Sequence, residues 1–252
     1  MKKLLKTTNI PLFTLLAGLI GFALRLWLFG SGVDEKGLLI ANHPAGVMVW
    51  ILTALVLVVL ALGVRKLADM PRYSQLFPAS KLAAIGCILA AAGILYVNIR
   101  ELLQVRDAIT VVTLILGVVA AVSLLLLGAC RWQGKRPAFW LQSAMTVYFM
   151  LHLVSQYRLW SSEPQLQVYF FPLLASVFMM LTAYHGAVLD GGKKGSRRWY
   201  VFSSQSALFF CCLSLQGTSW PFYLTMALWL GTGLCSLRAP AARAAEGEEE
   251  SA

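Results

Sequence analysis

The sequence predicts an all-α integral membrane protein, a polytopic bundle of about eight transmembrane helices in up-down order with both termini cytoplasmic. Hydrophobic residues make up 59% of the 252 residues and charged residues only 13%, whereas a soluble domain carries roughly a quarter charged residues. The mean hydropathy is +0.72. Eight apolar runs, each close to the length of about 20 residues that a membrane-crossing helix needs, are separated by short polar connections.

The apolar runs predict the helices in chain order. They cover residues 10–29, 47–64, 82–99, 108–128, 138–157, 168–189, 200–216 and 220–237. Proline supports the boundaries, because its missing N–H is tolerated in the first turn of a helix. The prolines at or just before a run are Pro11, Pro44, Pro78, Pro137 and Pro221. Pro172 lies one turn inside the sixth run, where it would bend the helix without ending it.

The runs differ in their side chains. The second and fourth are rich in Val and Leu, which predicts positions that face lipid. The third run has a surface of small residues that lets helices approach closely, so we expect it to be the central helix. The last two runs are joined by only three residues, and a chain with seven spans is the alternative. The small residues of the third run are Ala83, Ala84, Gly86, Ala90, Ala91, Ala92 and Gly93.

Topology follows from the basic residues, because Lys and Arg are retained in cytoplasmic connections. Alternate connections divide the 21 basic residues into sixteen on one side and five on the other. The smaller group is Arg25, Lys36, Arg100, Arg106 and Arg158. The formal net charge of +10 would suggest nucleic acid in a soluble protein. Here it belongs to the cytoplasmic face, and we expect no nucleic-acid partner.

The chain is predicted to form one transmembrane domain over residues 1–238, followed by a disordered cytoplasmic tail over residues 239–252. The tail is rich in Ala and then in Glu, a composition that buries too little apolar surface to fold alone. The first apolar run lasts about 20 residues and lacks a small-x-small cleavage site, so we expect it to be retained as a span. The five cysteines show neither zinc-site spacing nor positions for an extracellular disulfide.

Polar residues gather in the outer half of the predicted bundle. Tyr148, His152 and Gln156 are spaced four apart, which places them on one face of the fifth helix. The guanidinium group offers a bidentate fork to carboxylates and phosphates, so arginines converging there would bind an anion. The candidate ligand-binding residues are Arg25, Asn98, Arg100, Tyr148, His152, Gln156 and Arg158. The alternative is that Arg100 and Arg158 only reach toward the lipid headgroups.

A second polar group lies at the inner end of the sixth and seventh helices. Its members are Tyr184, His185, Ser203, Ser204 and Gln205. A hydrolase would use one of the serines as nucleophile, His185 as base and Asp190 to orient it. No nucleophile elbow supports that chemistry, and we expect the group to be structural, with hydrogen bonds between helices.

A metal centre is the third interpretation. Asp34, Glu35 and His43 in the predicted outer connection have suitable ligand types, and His152 would be a fourth. Their spacing matches no metal-binding motif. We therefore expect no metal and no other cofactor.

The function predicted from these features is that of a small-solute transporter or binder, with an anionic solute as the candidate ligand of the outer half. The alternative is a non-catalytic accessory or sensory subunit that acts through helix contacts with a membrane protein partner. A membrane-embedded hydrolase is disfavoured. We expect a multi-pass protein surrounded by the lipid bilayer of the cell membrane, specifically a bacterial plasma membrane.

Overall fold

A computed structural model shows a chain built from α-helices. It describes residues 9–34, 39–40, 43–65, 67, 76–103, 108–161, 166–191, 196–217 and 219–237, and these ranges contain no β-strand. Eight helices follow one another within them: α1 (Asn9–Ser31), α2 (Pro44–Arg65), α3 (Lys81–Leu102), α4 (Ala108–Gln133), α5 (Phe139–Trp160), α6 (Phe170–Asp190), α7 (Arg197–Leu213) and α8 (Trp220–Cys235). The all-α prediction is confirmed. The predicted tail, residues 239–252, lies outside the described residues.

Five of these helices are long and apolar enough to cross a membrane. They are α1 over Pro11–Ser31, together with α2, α3, α4 and α6. Helices α7 and α8 have only 17 and 16 residues, fewer than the roughly 20 of an ordinary span. Large apolar side chains such as Ile51, Leu62, Ile99 and Ile115 are more than half exposed on the outside of the bundle.

Proline and serine mark the helix starts. Helix α2 begins at Pro44, and Pro221 lies in the first turn of α8. The hydroxyl of Ser80 accepts a hydrogen bond from the Ala83 amide at 3.3 Å, which satisfies one of the unpaired N–H groups at the start of α3. A 3-10 turn, Leu166–Tyr169, leads into α6. Pro172 therefore lies in the first turn of the α-helix, where proline is tolerated, and the predicted bend stays a prediction.

The helix that packs against most others is α7, and the prediction of a central third helix is wrong. Helix α7 contacts α1, α2, α6 and α8, whereas α3 packs mainly against α4 and α8. Every residue from Ser203 to Leu213 is buried. Because neighbouring helices cover α7, its Gln205 and several serines are surrounded by protein and are not exposed to an apolar environment.

The small residues of α3 allow close contact with α8. A Cβ added at Gly93 would lie 2.9 Å from Cβ of Thr225, and one added at Gly86 would lie 3.2 Å from Cα of Trp229. Both distances are shorter than an ordinary contact between carbon atoms. Glycine at these two positions therefore lets α3 and α8 approach more closely than larger residues would allow.

Hydrogen bonds between helices concentrate at the two ends of the bundle. At one end, which we call the Glu101 end, α1, α3, α5 and α7 finish, and Gln156 of α5 bonds Glu101 of α3. At the other, the Asp190 end, α4 and α6 finish, and Gln142 of α5 bonds Asp190 of α6. Consecutive helices thus run in opposite directions.

The contact of α3 with α8 generates a stability prediction. Gly93→Ala should lower the free energy of unfolding by about 1–3 kcal/mol, the usual range for overpacking. Gly63→Ala on α2 is the matched control, because a Cβ there would meet no atom within 4 Å. Thermal unfolding of both purified variants in detergent measures the difference. Equal melting temperatures for the two variants would contradict the close packing of α3 on α8.

Candidate functional site

Glu101 is the residue around which the polar groups of the Glu101 end collect. It lies in the last turn of α3, and 17% of its side chain is exposed. Its Oε1 accepts a hydrogen bond from Gln156 Nε2 at 3.0 Å. Its Oε2 is buried and accepts no hydrogen bond from the described residues. An ionised carboxylate has about four acceptor positions, so this group can accept further hydrogen bonds.

The predicted face of α5 points toward this carboxylate. His152 is almost fully buried, and its Nδ1 lies 4.0 Å from Glu101 Oε1, which is too long for a hydrogen bond. Tyr148 is fully buried, and its ring stacks on the His152 ring with centroids 5.6 Å apart. The structure therefore brings Tyr148, His152 and Gln156 together, but places an acid in front of them where the sequence led us to expect arginines.

A cavity of about 240 Å³ opens beside Glu101. Its polar walls are Arg100, Glu101, Gln156, Gln216 and Ser219. Aromatic rings of Trp160, Tyr169 and Tyr223 complete it, with Trp160 and Tyr169 stacked at 4.7 Å. Four elements thus meet at the cavity: the ends of α3 and α5, the start of α6 and the turn between α7 and α8. A volume of this size accommodates a small solute.

Five of the seven predicted ligand-binding residues do not line this cavity: Arg25, Asn98, Tyr148, His152 and Arg158. Asn98 points into α4, where its Nδ2 donates to the Leu114 carbonyl at 3.1 Å and its side chain packs on Gly117. Arg158 is exposed and does not line the cavity. Arg100 lines it as an exposed residue.

Arg25 does not line this cavity, and its side chain binds backbone carbonyls instead. It is 3% exposed, so it does not reach out toward headgroups. Its guanidinium donates to the Leu213 carbonyl at 2.6 Å and to the Val168 carbonyl at 3.1 Å. Leu213 is the last residue of α7, where carbonyls lack partners within their own helix. Arg25 thereby caps α7 and ties it to the turn before α6.

A second cavity, of about 260 Å³, lies on the other side of Arg25. Its walls are mostly apolar and aromatic, with Phe29, Trp50 and Phe171 among them, and His43 lies at its rim. The guanidinium carbon of Arg25 lies 5.0 Å from the centroid of the Phe171 ring, a cation–π contact. The arginine is thus enclosed by carbonyls and rings, and it lines a different cavity from Gln156, with which it was grouped in the prediction.

The inner polar group is arranged differently from the hydrolase pattern. Ser204 Oγ donates to the Tyr200 carbonyl of its own helix at 2.7 Å, and Ser203 Oγ donates to the Trp199 carbonyl at 2.8 Å. His185 stacks on Trp199 with ring centroids 6.3 Å apart. The hydroxyls therefore point along α7, and the helix-to-helix bonds that we expected from them are replaced by bonds within one helix.

Two further members of that group also lie apart. Tyr184 is 51% exposed and Gln205 is 1% exposed, so they do not share one surface. The bond between helices at this end joins Gln142 Nε2 to Asp190 Oδ2 at 2.6 Å, and Arg136 donates to the Asp190 carbonyl. Asp190 is thus held by α5 and by the connection that precedes it.

The candidate metal ligands do not come together in the part of the chain that the structure describes. No group of three His, Cys, Asp or Glu side chains there could hold a metal ion. Glu35 lies outside the described residues. His43 instead contacts the Trp27 ring and accepts from the Ala45 amide at 3.3 Å, as expected for a helix-entry turn.

Comparison with known proteins adds no assignment. No protein-family model, curated protein or solved structure matches the chain. Function therefore has to be inferred from the cavity beside Glu101 and from the helices that build it.

The capping role of Arg25 predicts a graded loss of stability. Arg25→Leu removes the donors to the buried Leu213 carbonyl and to the partly buried Val168 carbonyl, and an unpaired buried carbonyl costs about 1–3 kcal/mol. Arg25→Lys should lie between this variant and the wild type, because one ammonium cannot copy the spread of a guanidinium. Arg65→Leu, at an exposed arginine of α2, is the control. Thermal unfolding in detergent gives the order, and an Arg25→Leu protein as stable as Arg65→Leu would contradict it.

At the Asp190 end, we expect small losses of stability from the two serines and a larger loss from Gln142. Ser203→Ala and Ser204→Ala each remove a hydroxyl that bonds its own helix, so unfolding free energy should change by less than about 1 kcal/mol. Gln142→Met keeps a flexible chain of similar length but leaves Asp190 Oδ2 without its donor. It should cost about 1.5–3 kcal/mol. Chemical denaturation of the three variants tests this, and a hydrolytic activity that disappears in Ser203→Ala or Ser204→Ala would overturn the structural interpretation.

Proposed function

We propose that the chain is a multi-pass membrane protein that binds and transports a small polar solute through the cavity beside Glu101. All eight helices would cross the bilayer, with the Glu101 end outside and the Asp190 end cytoplasmic. The observation that carries the proposal is the cavity of about 240 Å³ with a partly buried carboxylate in its wall. An ionisable group inside a membrane helix usually faces a cavity and serves a pathway.

Membrane insertion is supported by the surface of the bundle. Large apolar side chains are exposed along α1, α2, α3 and α4, and a soluble monomer rarely leaves such a continuous apolar surface. The short helices α7 and α8 are compatible with this, because α7 is buried among other helices and needs no contact with lipid. Arg65 and Arg131 lie in the last turns of α2 and α4, which finish at the Asp190 end, and this favours that end for the cytoplasm.

Transport is supported by where the cavity lies. It is bounded by the ends of α3 and α5, by the start of α6 and by the turn before α8. Gly217 in that turn has a φ angle of 121°, a conformation that other residues adopt only under strain. A cavity between helix ends can change its opening when those ends move relative to one another.

The alternative is an accessory subunit that acts through helix contacts. One observation favours it: an open groove of about 810 Å³ runs between α5 and α6 near the Asp190 end, lined by Phe139, Thr146, Val147 and Tyr184. A helix of a partner would fill such a groove. In that case Thr146→Cys should form a disulfide with one of a series of cysteines substituted along the partner helix. Added solutes should then leave the labelling rate of a thiol in the Glu101 cavity unchanged.

Thiol labelling tests the orientation of the chain. The two cysteines that are not buried, Cys130 and Cys235, lie in the last turns of α4 and α8, at the Asp190 end. A membrane-impermeant maleimide added to intact cells should therefore leave the wild type unlabelled until the cells are permeabilised. Ser219→Cys, in the wall of the Glu101 cavity, should be labelled in intact cells. Labelling of the wild type in intact cells would reverse the proposed orientation.

The same variant tests solute binding. A panel of amino acids, amines, organic acids and sugars is added to right-side-out vesicles before the maleimide. We expect at least one class to slow labelling of Ser219→Cys, because a bound solute covers the thiol. If the rate is the same with every member of the panel, the cavity binds no small solute and the accessory role should take its place.

A further inference from the structure

We propose that the solute of this cavity carries a protonated amine, which Glu101 and Gln216 receive. The inference rests on the proposed function and names its ligand class. It also reverses the sign of charge expected from the arginines in the sequence.

The wall offers acceptors whose hydrogen bonds are incomplete. Glu101 Oε2 and Gln216 Oε1 are both buried and accept no hydrogen bond from the described residues. Both residues line the cavity. A buried acceptor without a donor costs free energy, and an ammonium group brings three donors and no acceptor. An amine bound in the cavity would supply the donors that these acceptors lack.

The Gln156 amide fixes the carboxylate in place. Its Nε2 donates to Oε1 at 3.0 Å, which leaves Oε2 as the oxygen without a protein donor. His152 lies 4.0 Å from Oε1, behind the carboxylate and not among the cavity walls. The protein therefore holds one oxygen from the side of α5 and offers the other to a ligand.

Aromatic rings favour a cation at the same place. Trp160, Tyr169 and Tyr223 line the cavity, and the faces of such rings attract an ammonium group. Together with the Glu101 carboxylate, the faces of these rings are groups that attract a cation.

The arginines are placed where they do not oppose a cation. Arg25 donates to the Leu213 and Val168 carbonyls and lines the other cavity. Arg100 is exposed at the rim, where its charge is screened by solvent. A carboxylate on the same ligand would meet Arg100, so an amino acid is as suitable as a simple amine.

The test uses four probes of similar size and different charge: butylamine, α-aminobutyrate, butyrate and butanol. Each is added to right-side-out vesicles of Ser219→Cys before the maleimide. We expect the two amine-bearing probes to slow labelling and the other two to leave the rate unchanged. Protection by butyrate or butanol without protection by either amine would overturn the inference while leaving a solute-binding cavity in place. Protection by none of these probes or the wider panel would overturn the proposed function itself.

Charge variants identify the receiving residue. Glu101→Gln keeps the size and the bond from Gln156 but removes the charge, and it should raise the amine concentration for half protection at least about tenfold. Asp34→Asn, at an exposed acid outside the cavity wall, removes the same charge and should leave that concentration unchanged. Gln216→Glu adds a second carboxylate and should lower it. Equal half-protection concentrations in Glu101→Gln, Gln216→Glu and Asp34→Asn would overturn the assignment.

Discussion

The hydrogen bonds of Arg25 hold together the part of the bundle on which the cavity depends. A helix leaves its last carbonyls without partners, and inside a low-dielectric bundle no water is at hand to satisfy them. One guanidinium serves the end of α7 at Leu213 and the turn before α6 at Val168. Because α7 contacts α1, α2, α6 and α8, fixing its end also helps to hold these four helices in place.

The close packing of α3 on α8 completes this frame. Glycines at two successive levels let these helices approach, and α7, whose last carbonyl is capped by Arg25, lies beside α8. Glu101 is the only acidic residue of α3, and it lines the same cavity as Gln216 of the α7–α8 turn. The carboxylate is therefore positioned by backbone contacts several turns away, and only its final orientation depends on Gln156.

Much of the fold could be predicted from the sequence, because apolar runs and prolines mark helices directly. Two features could not. The central place of α7 was missed because its serines and glutamine lower its hydropathy, although that polarity is tolerated only in a covered helix. Glu101 was missed because the third helix was expected to end at residue 99, which made this acid part of a connection. The helix continues to Leu102, and that extra turn directs the carboxylate toward α5.

Arg25, one of the three arginines among the predicted ligand-binding residues, shows why charge type alone does not assign a ligand. Arg25 is buried by its own hydrogen bonds to carbonyls, so its positive charge stabilises helix ends and is not offered to a solute. The turn that accepts its second bond, at Val168, is followed at once by Tyr169, which lines the Glu101 cavity. The start of α6 is thus shared by the capping interaction and by the cavity wall.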